Sequence, residues 1–196
     1  MTAIIEEIHE FWFGELDANG RCVSDRHALW FGASDATDAS CRDRFGAALA
    51  LALEGKLDDW AQTDRGLVAL IVLLDQFSRN IHRGTAQAFA GDARALSMSQ
   101  AAINSGRHLR LPVIHRVFLY LPLEHCENLA VQEQCVALFE ELAQLTGLPQ
   151  FAGFARYAAA HREVIASFGR FPHRNAALGR TSSAAELAHI EQHGGF

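Results

Sequence analysis

Asp64-Arg-Gly-Leu-Val-Ala-Leu-Ile-Val-Leu-Leu-Asp-Gln-Phe77 is the stretch on which the fold class turns. Its apolar middle, Leu67 to Leu74, has no polar face, so periodicity alone fits either a buried strand or a helix buried on all sides. Helix is the better reading, because Asp75, Gln76 and Phe77 continue the pattern and no alternating partner strand occurs elsewhere in the chain. Asp64 opens this third helix, and its end is expected near Phe77. The apolar run from Gly66 to Leu74 is also the longest in the chain, far short of the roughly twenty residues that span a bilayer.

Outward from it, helical spacing recurs in both directions. Ile4, Ile5, Ile8, Phe11 and Trp12 share one stripe of a first helix, which Thr2 can cap and Gly14 ends. Phe45, Leu49 and Leu53 line a second, from about Asp38, with Gly55 at its C-cap and Trp60 folded over its end. Downstream, Asp92 is the expected N-cap of a helix reaching Gly106. Pro112 starts a short helix from Val113 to Leu121, and Pro122 stops it. Asn128 to Leu145 and Phe151 to Phe168 are amphipathic, closed by Gly147 and Gly169, and Ser183-Ala-Ala-Glu186 forms a capping box before a last helix. About eight helices with short connections predict an all-α bundle of antiparallel helix hairpins, tetratricopeptide-repeat-like although no period of about 34 residues shows in the letters.

The 196 residues allow one well-buried core, perhaps in two sub-bundles, and the expected organisation is a single domain over 1–196. With 49% hydrophobic and 20% charged residues the composition is that of an ordered globular protein. The start of the chain puts two glutamates among its isoleucines, unlike a signal peptide. Cys22, Cys41, Cys126 and Cys135 make no Cys-x-x-Cys pair, so reduced thiols in the cytoplasm are expected. A net charge of -6, with 17 basic against 23 acidic residues, excludes the extended basic footprint of nonspecific nucleic-acid binding. No membrane association is expected.

Against that acidic background two segments concentrate arginine: Leu73-Leu-Asp-Gln-Phe-Ser-Arg-Asn-Ile-His-Arg-Gly84 and Phe168-Gly-Arg-Phe-Pro-His-Arg-Asn-Ala-Ala-Leu-Gly-Arg180. Each carries an Arg-Asn pair beyond an aromatic residue and closes on glycine. Asp75 and Gln76 on a last helical turn, followed by Arg79, Asn80 and Arg83 in a loop, offer guanidinium forks suited to carboxylate or phosphate. Arg170, Arg174 and Asn175, on a loop stiffened by Phe168, Phe171 and Pro172, offer the same. The plain alternative is a structural arginine network of ion pairs and helix caps. His125 and His173 are candidate acid-base groups, with Glu127 to tune His125. His9, His27, His108, His161, His189 and His193 are best read as surface or satisfied core groups. No metal is expected, because no His-Glu-x-x-His spacing occurs and Cys126 lacks a partner cysteine. No cofactor is expected either: phosphate loops, dinucleotide fingerprints and Gly-x-Ser-x-Gly elbows are all missing.

At these residues the chain resembles the bacterial family known as domain of unknown function 924. The likeness rests on the two arginine segments, on Ala88-Phe-Ala90 with Asp92, and on Phe118-Leu-Tyr-Leu-Pro-Leu-Glu-His-Cys-Glu-Asn-Leu129 with Gln132. His161-Arg162, Phe11-Trp-Phe-Gly14 and the closing Gly-Phe196 add to it. The resemblance implies an all-α fold similar to tetratricopeptide-repeat proteins, and no activity, cofactor or catalytic residue. The departures are Ser78 where the family has proline, Cys126 where it has serine and Asn128 where it has aspartate.

Two functions fit the residues. In one, the arginine segments face each other across the bundle with His125 and Glu127 nearby, bind a small anionic metabolite and support acid-base chemistry. In the other, a helical adaptor holds an acidic peptide or carboxylate terminus in its groove.

Overall fold

The computed structural model describes residues 2–194; Met1 and the closing Gly195-Phe196, the last of which carries part of the resemblance, lie outside the described residues. The described residues form an all-α structure, and apart from one isolated antiparallel bridge between Leu16 and Cys22 they contain no β-structure. The chain gathers into two compact units. One comprises Met1–Arg83 and Gln87–Pro122, the other Gly84–Ala86 and Leu123–Phe196.

The first unit holds α1 (Thr2–Trp12), α2 (His27–Phe31), α3 (Asp35–Leu53), α4 (Asp64–Ile71), α5 (Ser78–Ile81), α6 (Asp92–Asn104) and most of α7 (Val113–Glu124). Leu67 through Leu74 are each at most 2% exposed, so the all-round apolar run is a core helix and not a strand. Thr63, one residue before Asp64, caps it by accepting the Gly66 N–H at 3.0 Å. A Cβ on Gly66 would stand 2.1 Å from the Trp60 carbonyl oxygen, and that absent methylene lets the 3-10 turn Asp58–Gln62 close on α4. Trp60 itself is buried. Thr2 is the first residue of α1. α3 starts earlier than its apolar pattern suggested because Ser34 caps it, and α2 was too short to register as a period. Phe45 and Phe77 stack at 4.6 Å, Trp12 meets Phe77 and Phe118 edge-on, and the Trp30 indole N–H donates to the Trp12 carbonyl at 2.9 Å.

Three expectations are corrected. The helix does not end at Phe77: a π-helical stretch, Val72–Phe77, carries it into α5, so Arg79 and Asn80 are helical and not in a loop. Asp92 is not an N-cap; Gly91 occupies that position, and Asp92 opens α6 with its carboxylate turned to Arg79. Pro122 lies inside α7 and does not stop it. An interior proline costs about 3 kcal/mol, which the burial of Leu119, Tyr120, Leu121 and Leu123 offsets.

The second unit is built on α8 (Leu129–Thr146) and α9 (Pro149–Phe168), joined through Gly147 in a left-handed C-cap and Leu148, a link short enough to fold the helices back to back. Cys135, Phe139, Leu142, Phe151, Phe154 and Ala158 fill the space between them. Asn128 caps α8 through the Val131 N–H. A 3-10 turn, Pro172–Arg174, leads to α10 (Ala184–His193), where the expected capping box forms: Ser183 Oγ accepts the Glu186 N–H, and Glu186 accepts the Ser183 N–H at 2.7 Å.

Candidate functional site

In the first unit, the π-helical stretch turns Asp75 fully into the core, where Gln76 Nε2 donates to its Oδ2 at 2.5 Å. One turn on, Arg79 donates to the Asp75 backbone carbonyl at 2.7 Å and pairs with its carboxylate at 3.1 Å. The rest of the Arg79 fork meets Asp92 in a bidentate pair at 2.8 and 3.1 Å. Burial works against the Arg79 charge, but Asp75 and Asp92 outweigh it and hold its pKa above the ordinary value. Asp92 reaches this place because Gly91 has no side chain; a Cβ there would come within 2.2 Å of the Leu74 carbonyl oxygen. Arg83 and Asn80 both donate to Asp38 of α3, Arg83 through Nε at 2.6 Å and Nη2 at 2.8 Å, Asn80 at 2.8 Å. Those bonds, Arg83 foremost, draw the Asp38 pKa down. Asp75, Gln76, Arg79, Asn80 and Arg83 thus form one corner whose guanidinium forks are filled by carboxylates of the chain itself.

In the second unit, Arg170 closes a bidentate pair on Glu186 at 2.6 and 2.9 Å and also reaches the Thr181 carbonyl. That pair, with the Ser183 N–H, holds the Glu186 carboxyl far below the usual carboxylate range. Arg180 makes the same fork on Glu127 at 2.7 and 2.9 Å, while Glu127 also accepts the Phe171 N–H at 2.8 Å. Burial raises the Glu127 pKa, and the Arg180 and Phe171 bonds more than reverse it. A carboxylate held ionised in this way is a weak base and serves to fix the Phe171 loop. Asn175, 1% exposed, receives Arg180 Nε on its carbonyl at 2.8 Å and donates to Ser182 Oγ at 3.0 Å, tying the same loop.

Around Phe171 the histidines gather. His161 lies edge-on to its ring at 5.6 Å between centroids, His173 is tilted against it at 5.7 Å, and the Arg174 guanidinium stacks over it at 4.5 Å. His125 sits 6.3 Å from His161, ring to ring. His161 Nδ1 contacts the Tyr157 carbonyl oxygen at 2.9 Å and Glu124 Oε1 at 3.4 Å. A carbonyl oxygen only accepts, so the proton must be on Nδ1, and Nε2 carries the lone pair. Burial first, then the charges of His125, His173 and Arg174, push the His161 pKa down to about 3, so the ring is neutral near pH 7.

Sequence reasoning named His125, Glu127, His173, Arg170, Arg174 and Asn175, and the structure collects all six in this unit. It set Glu124 beside Glu127 as a carboxylate that could tune a histidine, and it did not assign function to His161. The signal was present: His161 falls on the buried stripe of α9 with Phe154, Ala158 and Ile165, an apolar face where a histidine needs a reason. Among the described residues no group of three or more histidine, cysteine and carboxylate side chains is arranged to hold a metal ion, and no helix is long and apolar enough to cross a membrane.

The family model described as "Bacterial protein of unknown function (DUF924)" matches residues 8–194. A solved structure of a protein of unknown function from Agrobacterium tumefaciens is 34% identical in sequence and superposes with a TM-score of 0.81, covering 97% of this chain and 98% of that one. No curated protein matches the chain.

Proposed function

Because the chain belongs to the bacterial protein family DUF924, whose description assigns no activity, we propose its function from side-chain chemistry: the second unit binds a small anion bearing phosphate or carboxylate groups at the His125, His161, His173 and Arg174 cluster, and His161 acts there as general base. The observation that carries this reading is the convergence of His161, His173 and Arg174 on the Phe171 ring, with His125 beside His161 and His161 held as its Nδ1–H tautomer by the Tyr157 carbonyl. The choice of this cluster over the Arg79 corner rests on its histidines, which stand beside an arginine around one ring.

Arg174 and a protonated His125 or His173 donate to the anion's oxygens. His161 Nε2 accepts a proton from a ligand hydroxyl or from water, and Glu124 beside Nδ1 stabilises the imidazolium that forms. The bound anion also offsets the neighbouring charges that, after burial, depress the His161 pKa, so binding raises it.

Thermal denaturation tests the reading. Phosphate and citrate at about a hundredfold excess over their dissociation constants should add about 2.7 kcal/mol to stability, whereas neutral analogues add nothing and salt shrinks the response. The shift should disappear in Arg174→Gln and in His125→Asn and persist in Arg110→Ala, whose guanidinium pairs with Asp64 at the surface. A flat response across the anions, with an acidic peptide stabilising the chain instead, would replace the anion site by the adaptor.

A further inference from the structure

The last helix of the second unit carries His189-Ile-Glu-Gln-His193, two histidines four residues apart at the end of α10. Side chains at i and i+4 stand one above the other on a single helix face, which is the spacing with which a helix presents two imidazoles to one metal ion. The two rings lie 4.7 Å apart between centroids, their planes 38° from parallel. A ring centroid sits about 3.2 Å from an ion that its nitrogen binds at about 2.1 Å, so two rings on neighbouring coordination positions, about 90–109° apart, stand about 4.5–5.2 Å from each other. The observed separation falls inside that window. The helix therefore already spaces the rings as a shared ion requires.

Access and charge both favour an ion there. His189 is half-buried and His193 exposed. Among the described residues no hydrogen bond occupies a ring nitrogen of either, and those of His189 stay open to solvent. Phe168, at the end of α9, packs on the His189 ring at 5.2 Å between centroids, so one of the two ligands is held in place before an ion arrives. The C-terminal end of a helix carries partial negative charge on its last carbonyls, which attracts a cation. Glu191, between the two histidines, adds a carboxylate to the same turn. Arg170, bonded to Glu186 one turn earlier in α10, has its charge balanced by that carboxylate. No third histidine, cysteine or carboxylate completes the set among the described residues, so water fills the remaining positions, as at an open site and unlike a closed structural one.

We propose that His189 and His193 together bind one divalent ion of the late first-row transition metals, the class of zinc, nickel and copper, whose preference for imidazole separates it from magnesium and calcium.

Isothermal titration of the full chain at pH 7.5 with zinc chloride and, in parallel, magnesium chloride tests it. Zinc should bind this pair saturably at one ion per chain, and magnesium should give no heat. His189→Asn and His193→Asn should each weaken zinc about tenfold or more, while His27→Asn, at an exposed histidine of the first unit, should not. The double substitution Glu191→His/His193→Gln keeps all ten histidines but moves the second ring off the shared face, and it should bind as weakly as His193→Asn. The ring nitrogen resonances of His189 and His193 should shift with zinc and stay still with magnesium. Zinc binding undiminished by either single substitution or by the displaced histidine, silent resonances at the pair, equal binding of magnesium, or no saturable zinc heat would each overturn the assignment.

Discussion

The corner at Arg79 and the cluster at Phe171 draw on nearly the same residues, an Arg-Asn pair beyond an aromatic ring, and differ in what surrounds the charges. At the corner, Asp38, Asp75 and Asp92 fill the Arg79 and Arg83 forks, and no histidine enters the network described there. At the cluster, Glu127 and Glu186 absorb Arg180 and Arg170, while His161, His173 and Arg174 crowd one phenylalanine and His125 stands beside His161. The second adds imidazoles, of which His161 is held neutral chiefly by burial. The comparison teaches that an arginine motif is a site or a strut according to the carboxylates that fold against it.

The largest effect that can break the contrast is the loss of Arg79. Arg79→Ala strands Asp75, fully buried, and removing one partner of a buried pair costs about 3–5 kcal/mol. Urea denaturation should show that loss while the anion response of the remaining folded protein is unchanged. An Arg79→Ala protein of normal stability that no longer responds to anions would turn the corner into the site. Next, Gly91→Ala drives a methyl group against the Leu74 carbonyl and pushes Asp92 off Arg79, at about 2–3 kcal/mol; an unchanged melting temperature would contradict that packing.

Acid comes third and sharpens the contrast. His9, His115 and His161 have folded pKa values below the ordinary 6.5, so as pH falls under 6.5 the unfolded chain binds protons that the folded chain refuses. Stability therefore falls from pH 6.5 towards 4, and each histidine adds up to about 1.4 kcal/mol per pH unit to the slope. Asp38, Glu127 and Glu186, whose pKa values are lowered, add a further loss as pH drops through the carboxylate range. His115→Phe and His161→Gln should each flatten the histidine window, and phosphate should flatten it only where His161 is present. Identical phosphate effects in the two variants would erase the distinction. The smallest effect belongs to Arg83→Ala: its side chain is 49% exposed, so the pair with Asp38 is worth under about 1 kcal/mol.

The all-α class was legible because caps and spacing are local: Gly14, Gly147, Gly169 and the Ser183 box ended or opened helices where they were read. Pro122 and Asp92 misled because a proline and a good capping residue are local signals that tertiary burial and a guanidinium overrode. The π-helical stretch has no letter of its own, so the helical state of Arg79 was hidden. The members of the histidine cluster were mostly visible as residue types. The internal partners of the arginines, Asp38 and Glu186 among them, were not, because they lie tens of residues away in sequence or across a loop.

Titration of the histidine ring nitrogens with phosphate, followed by NMR, tests the central claim most directly. The account predicts saturable shifts at His125, His161 and His173, a gain of proton at His161 Nε2, and still signals at His9 and His115. Rings of the cluster that stay unmoved at saturating phosphate, or a His161 whose proton sits on Nε2 from the start, would contradict it.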